Sequence, residues 1–368
     1  MSLTPRPGVL DIQPYVPGAS TLAGPGEAMK LSANESALGP SPKAMAAYRE
    51  AAALERYPDG DATALREAIG RCHGLDPARI VVGAGSDEIL FNLARGYAGV
   101  GDEVIFSAHG FNMYPIIALS VGAAAVTAAE PELVFDVANA LDKVTARTRV
   151  VFIANPNNPT GTYIPLDEMR RLREALPDNV LLVIDAAYAE FVTSDDYSPG
   201  IELVDAGANT VMTRTFSKIY ALAALRLGWA YCPPAVADVV NRMRGPFNVG
   251  TPAQLAGAAA VADAGHVIAA REHNEIWRPW LCERIAEAGL VTTASVANFV
   301  LVRFPDDAAR SADAAMRFLN SRGIIPRGTA GYGLADCLRI TIGTEDEMRA
   351  TARAIADFMA GETVSGAQ

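Results

Sequence analysis

Lysine is scarce in this chain of 368 residues: only Lys30, Lys43, Lys143 and Lys218 occur, so chemistry that needs a side-chain amine has four candidates. Cysteine and histidine are equally sparse. Cys72, Cys232, Cys282 and Cys337 show no C-x-x-C spacing, which argues against a zinc site or a disulfide framework. His73, His109, His266 and His273 form no ligand-spaced cluster. Positive charge is in deficit, with a formal net charge of −11, and this argues against nucleic acid or an anionic membrane as partner. An anionic substrate must then be met by local arginines rather than by the field of the whole molecule. Long apolar runs are missing as well, since Gly, Pro or charge interrupts each one before the roughly 18 residues of a membrane helix. The first residues lack the basic-then-apolar pattern of a signal peptide, and Pro5, Pro7, Pro14 and Pro17 suggest an extended arm instead. The expected location is the cytoplasm.

Half of the residues are hydrophobic, enough for a large core, and the length suggests about two domains. A strand is expected at 79–82, followed by Gly83-Ala84-Gly85-Ser86-Asp87 and a helix to about Tyr97. Further strands are expected at 103–106, 150–154, 180–184, 210–213 and 227–232. They are apolar nearly throughout, as strands covered on both faces should be. Leu166, Met169, Leu172 and Leu176 line one side of a helix whose other side carries arginines. This alternation predicts an α/β fold with a mostly parallel central sheet flanked by helices. Beyond residue 250 a helical region runs from Thr251 toward Ala288, with a break expected near Pro279. Strands at 298–304 and 337–342 and helices at 311–322 and 345–358 follow, which reads as a smaller α+β domain. The expected division is an arm over 1–29, a large domain over 30–250 and a small C-terminal domain over 251–368.

Lys218 closes the run Thr213-Arg214-Thr215-Phe216-Ser217-Lys218, and Arg226 follows eight residues later. Two hydroxyls and an arginine beside an amine are what a phosphorylated aldehyde cofactor needs. Gly85-Ser86-Asp87 at a helix start would offer first-turn N–H groups and the Ser86 hydroxyl to a phosphate; a plain helix cap is the alternative. Asn155-Pro156-Asn157-Asn158-Pro159-Thr160-Gly161 forces a rigid turn beyond a strand end. That is where ligands bind in such folds, although structural punctuation would also account for it. Asp185 ends an apolar strand, and a carboxylate there is costly unless paired. A protonated ring nitrogen would pair with it; a helix N-cap is the other reading.

Together these segments resemble the fold-type I pyridoxal-phosphate aminotransferases, and within them the histidinol-phosphate aminotransferase family. The resemblance runs from Ile12-Gln13-Pro14-Tyr15-Val16-Pro17-Gly18 to Leu338-Arg339-Ile340-Thr341-Ile342-Gly343-Thr344. Between them lie Asn34-Glu35-Ser36-Ala37-Leu38-Gly39-Pro40-Ser41-Pro42, Arg56-Tyr57-Pro58-Asp59-Gly60 and Gly85-Ser86-Asp87-Glu88, in the family's order. The family implies pyridoxal 5′-phosphate as cofactor and Lys218 as its Schiff-base partner and proton shuttle. It implies that Asp185 pairs with the ring nitrogen, that Tyr188 and Asn158 meet the ring 3′ oxygen, and that Phe111 stacks on the ring. Gly85, Ser86, Asp87 (through its backbone), Thr215, Ser217 and Arg226 would hold the phosphate, with Tyr57 supplied by the neighbouring subunit of a homodimer with shared sites. Arg339, assisted by Arg327, would take the α-carboxylate of glutamate or the phosphate of histidinol phosphate, because one bidentate guanidinium can serve either anion. Asn34 and Asn158 would also face the substrate, and Tyr15 from the partner's arm would close over it.

The chain departs from the family at Ala186, where relatives commonly have an acid, at Ala224, often glycine, and at Phe111, commonly tyrosine. Pro326 before Arg327 is unusual too. The resemblance implies transamination between histidinol phosphate and 2-oxoglutarate in histidine biosynthesis, with ping-pong kinetics. An aromatic amino-acid aminotransferase and a threonine-phosphate decarboxylase-like lyase would share nearly the same site, because sub-ångström positioning decides which bond breaks. A cofactor-sensing regulator would carry a DNA-binding segment, but no helix-turn-helix fits ahead of residue 30 and the acidic charge disfavours DNA.

Overall fold

The structure, a computed structural model, describes residues 3–22, 28–53 and 55–362. Parts of the expected arm (1–2 and 23–27) and of the smaller domain (363–368) lie outside the described residues. In chain order the strands begin with β1 (Met29–Lys30), β2 (Ile80–Ala84), β3 (Glu103–Ser107), β4 (Ala124–Ala128), β5 (Thr148–Ala154), β6 (Leu181–Asp185), β7 (Thr210–Thr215) and β8 (Leu227–Tyr231). They continue with β9 (Val291–Thr292), β10 (Phe299–Arg303), β11 (Ile324–Ile325), β12 (Arg327–Gly328) and β13 (Cys337–Thr341).

Seven strands form one sheet in the order β2-β8-β7-β6-β5-β3-β4. All run parallel except β8, which is antiparallel to both of its neighbours. The central strands are apolar at nearly every position because both faces are covered. Alternate residues point to opposite faces, so Leu181 and Val183 join one core cluster while Leu182 and Ile184 join another. The helices Ser86–Tyr97 and Met113–Ser120 cover the first face, and Leu166–Ala175 lies on the second. Strand β4 is the one the sequence reading misses. It is an edge strand of alanine, valine and threonine with mostly exposed positions, so it carries no apolar run to betray it.

A second, antiparallel sheet has the order β12-β13-β10-β9. Its inner face packs Val300, Val302, Leu338 and Ile340 against the helices Ala264–Glu287, Ala312–Ser321 and Glu345–Met359. The last helix begins with a capping box, Thr344 and Glu347 each satisfying the other's backbone N–H.

One expectation needs correction. The break in the long helical region falls between Val261 and Ala264, and Pro279 stays inside the helix Ala264–Glu287. Pro279 is exposed, so its ring projects to solvent and the helix continues through it. The helix Thr251–Val261 enters a core cluster that also holds Ala270, Ala297 and Phe299 from beyond it. Its Ala253, Ala256 and Ala260 join the cluster of Phe216, Leu227 and Trp229 on the large sheet, because small side chains let it lie close. The described arm lies over its own chain, where Arg6 donates to the Ser120 carbonyl, Ser32 to that of Ala19 and Arg327 to that of Val16. Tyr15 of the same chain thus lines the cavity described below.

Candidate active site

The carboxyl edge of a parallel sheet exposes the turns after each strand, and here those turns carry the polar residues the sequence reading singled out. The helix Ser86–Tyr97 starts just past β2, Asn155 just past β5, and Asp185 ends β6. Ser217 and Lys218 follow β7. Because β8 runs the opposite way, its first residue stands at this same edge, and Arg226 arrives there without a crossover. The result is a cavity of about 370 Å³ whose wall includes Lys218, Asp185, Tyr188, Phe111, Asn34, Asn158 and Arg339.

Asp185 is buried. Among the described residues its carboxylate accepts hydrogen bonds from hydroxyls only, Tyr114 Oη to Oδ2 at 3.1 Å and Thr213 Oγ1 to Oδ1 at 3.1 Å. Burial pushes its pKa up to about 6 against those two donors. A buried acid without a cationic partner is costly, and a ligand N–H would relieve it. Lys218 lines the same cavity, its Nζ donating to the Ala33 carbonyl at 3.3 Å. Burial lowers its pKa to about 8, with the Arg339 guanidinium adding to the effect. Tyr188 is buried and its hydroxyl accepts from Asn34 Nδ2 at 2.9 Å.

The third cluster suits an anion. Gly85 carries no side chain to cap the helix Ser86–Tyr97 and has φ +81°, so the first-turn N–H groups are left to a ligand. A Cβ at Gly85 would run into the Arg226 guanidinium, and one at Gly228 into the Ser86 backbone; only glycine allows β8 to pass so close beneath the helix. Arg226 donates to Ser217 Oγ and to Asp87 Oδ2, both at 3.3 Å. Ser217 N donates to Thr215 Oγ1 at 3.1 Å. An anion cradle, a ring-sized space and a buried acid thus follow one another along the wall, with an amine alongside. The donor set fits the phosphorylated aldehyde cofactor expected above.

At the far end stands Arg339, on the face of β13 turned toward the large sheet. It is buried, donates to the Ser32 carbonyl at 2.7 Å and to Asn158 Oδ1, and leaves its Nε without a partner. A buried guanidinium with a spare donor is built to receive an oxyanion. Asn34 N is tied to Thr341 Oγ1 at 2.9 Å, which fixes this corner to the smaller sheet.

Two predicted site residues lie elsewhere. Tyr57 is 83% exposed and stacks on Phe247 with ring centroids 4.7 Å apart, away from the Lys218 cavity of its own chain. Arg327 pairs with Arg339 in strand register, yet it turns to the Val16 carbonyl at 2.7 Å and the Tyr15 ring at 5.9 Å. It lines a neighbouring cavity, and Tyr15 lies between the two. Sequence reasoning missed Tyr114 and Thr213, which hold Asp185. The signal for Tyr114 was there: one phenol in the apolar helix Met113–Ser120, packed on Phe152 at 4.9 Å. Lys30 and Glu35 in the cavity wall were missed as well.

The family profile described as aminotransferase class I and II matches residues 26–355. A histidinol-phosphate aminotransferase of Paramagnetospirillum magneticum is 58% identical over 96% of this chain and 98% of its own length. One of Rhodopseudomonas palustris is 54% identical over 97% of this chain and 98% of its own. Among solved structures, the histidinol-phosphate aminotransferase of Sinorhizobium meliloti in complex with pyridoxal-5′-phosphate superposes with a TM-score of 0.84 at 30% identity, covering 91% of this chain and 92% of that one.

Proposed function

The chain belongs to the class I and II aminotransferases and is a pyridoxal-phosphate-dependent transaminase; from that premise we propose that it exchanges the amino group between histidinol phosphate and 2-oxoglutarate, a step of histidine biosynthesis. The cofactor, when bound, supplies an aldehyde that condenses with amines and a ring that accepts electrons. The rest is done by side chains. Ser86, Thr215, Ser217, Arg226 and the backbone at Gly85 and Asp87 hold the phosphate. Asp185 would hold the proton on the ring nitrogen, Phe111 would pack on the ring, and Tyr188 and Asn158 would donate to or accept from the ring oxygen.

Lys218 Nζ takes the α-proton of the substrate and gives it back, as general base and then general acid. It must be neutral to do so, and burial together with Arg339 lowers its proton affinity toward that state. Arg339 takes the phosphate of histidinol phosphate or the α-carboxylate of glutamate, Asn34 orients Tyr188, and Tyr15 covers the substrate. The working unit is a cytoplasmic homodimer, in which exposed Tyr57 reaches the phosphate of the partner's site.

The observation that carries this reading is the buried, incompletely paired Arg339 guanidinium at the substrate end. Whole-length likeness to relatives named for histidinol phosphate supports the choice of amine. Steady-state kinetics with histidinol phosphate, tyrosine and phenylalanine test it. Histidinol phosphate should have the largest kcat/KM, and preference for an aromatic amino acid would overturn the choice of amine. Conversion of the cofactor to its amine form by glutamate should be complete, whereas carbon dioxide release from threonine phosphate would point to a lyase.

A further inference from the structure

Asp87 is bonded to Arg226, Asp185 stands at the ring end, Lys218 is the reacting amine and Arg339 takes an anion. Two charged groups in the same wall have no part in that scheme. They are Lys30 and Glu35, whose Nζ and Oε1 lie 2.8 Å apart. Their side chains are 32% and 45% exposed, too open for the pair to add much to stability. Their backbone, in contrast, is held firmly. Lys30 is in β1, paired with Ile325 of β11, and the Glu35 carbonyl accepts from Asn298 Nδ2 at 3.3 Å. The Glu35 carboxylate lies close enough to Lys218 to raise its proton affinity.

A transaminase must accept two molecules in turn at one site. On the reading above, which this inference rests on, both molecules offer Arg339 an anion. At the opposite end they differ: glutamate and 2-oxoglutarate end in a carboxylate, histidinol phosphate in an imidazole with an N–H to donate. We propose that the Lys30–Glu35 pair is the specificity element for this distal group, Lys30 receiving the carboxylate and Glu35 receiving the imidazole N–H. The pair need not part to do so. An ammonium has three donors and only one is used on Glu35, while the second carboxylate oxygen of Glu35 remains an acceptor. An ion pair thus keeps both signs of recognition at one place with no net charge, so neither substrate meets an uncompensated repulsion.

The test uses the cofactor-loaded enzyme and two probes that lack an amine, glutarate and imidazole-4-propionate. Each offers a carboxylate to Arg339, and they differ only in the distal group. By titration calorimetry, Lys30→Met should weaken glutarate about tenfold and leave imidazolepropionate within about twofold. Glu35→Met should do the reverse. Should a methionine variant fail to fold, Lys30→Gln and Glu35→Gln give the same crossover with smaller factors. Equal weakening of both probes, or no change in either, overturns the proposal. Since neither probe is a substrate, the crossover is read apart from the choice of amine. Crossover without turnover of histidinol phosphate sinks the reaction assignment alone, and turnover without crossover sinks the specificity element alone.

Discussion

The end of the cavity around Asp185 and Lys218 and the end around Tyr15, Lys30 and Arg339 differ in where their residues come from. At the first end every group sits at, or within a few residues of, the end of a strand in one sheet, and Asp185 is fully enclosed. At the second, groups are gathered from the arm, from β1 and from β13 of the other sheet, and Lys30 and Glu35 are partly open to solvent. On the proposed function, chemistry performed identically on two substrates would rest on the rigid sheet edge. Recognition, which must change between substrates, would rest on segments that meet from far apart in the chain.

If that contrast holds, damage should grade from the first end to the second. Lys218→Ala should reduce kcat by about 10⁴-fold or more, and borohydride should no longer fix cofactor to the chain when checked by mass. Asp185→Asn should lower kcat by about a thousandfold, with an opposite effect on stability in the cofactor-free protein. The folded-state pKa of Asp185 is raised to about 6, so its ionised form weakens the fold above that pH and its protonated form does not below the ordinary carboxylate range. The asparagine variant should therefore gain about 3 kcal/mol at pH 7–8, and the gain should vanish by about pH 3. Urea melts at the two pH values decide it. Arg339→Ala should cost about a hundredfold in kcat/KM with glutamate and histidinol phosphate alike; a loss confined to one half-reaction would break the idea of a shared anion site. Tyr114→Phe removes one of two hydroxyls from Asp185 and should lower kcat by about tenfold or less. Its pH profile should shift as the carboxylate loses a donor, which a purely structural role would not produce.

The same contrast explains what could be read from the sequence. The strands announced themselves as apolar runs: Asp185 ends one, Ser86, Ser217 and Lys218 follow one within three residues, and Arg226 directly precedes β8. Edge strand β4 and the two-residue strand β1 leave no such trace, so the Lys30–Glu35 pair stayed hidden. Tyr114 was hidden differently: its phenol reads as one more core aromatic until the fold turns it onto Asp185. The alanine-rich face of the helix Thr251–Val261 does not say which core it enters, and it joins the cluster of Phe216, Leu227 and Trp229. Tyr15 and Arg327 were named from the resemblance, and their contact with each other is set by the path of the arm, which periodicity does not encode.

The loop from Phe216 to Arg226 is closed at both ends by the antiparallel neighbours β7 and β8, with Phe216 N bonded to the Leu227 carbonyl and Leu222 N to that of Phe216. Within it the amine and the guanidinium approach a common ligand from a fixed number of peptide units. Substitutions within it can leave this spacing intact, but a single inserted residue would pull Lys218 and Arg226 out of step. Length, more than spelling, is the trait that inheritance has to preserve here.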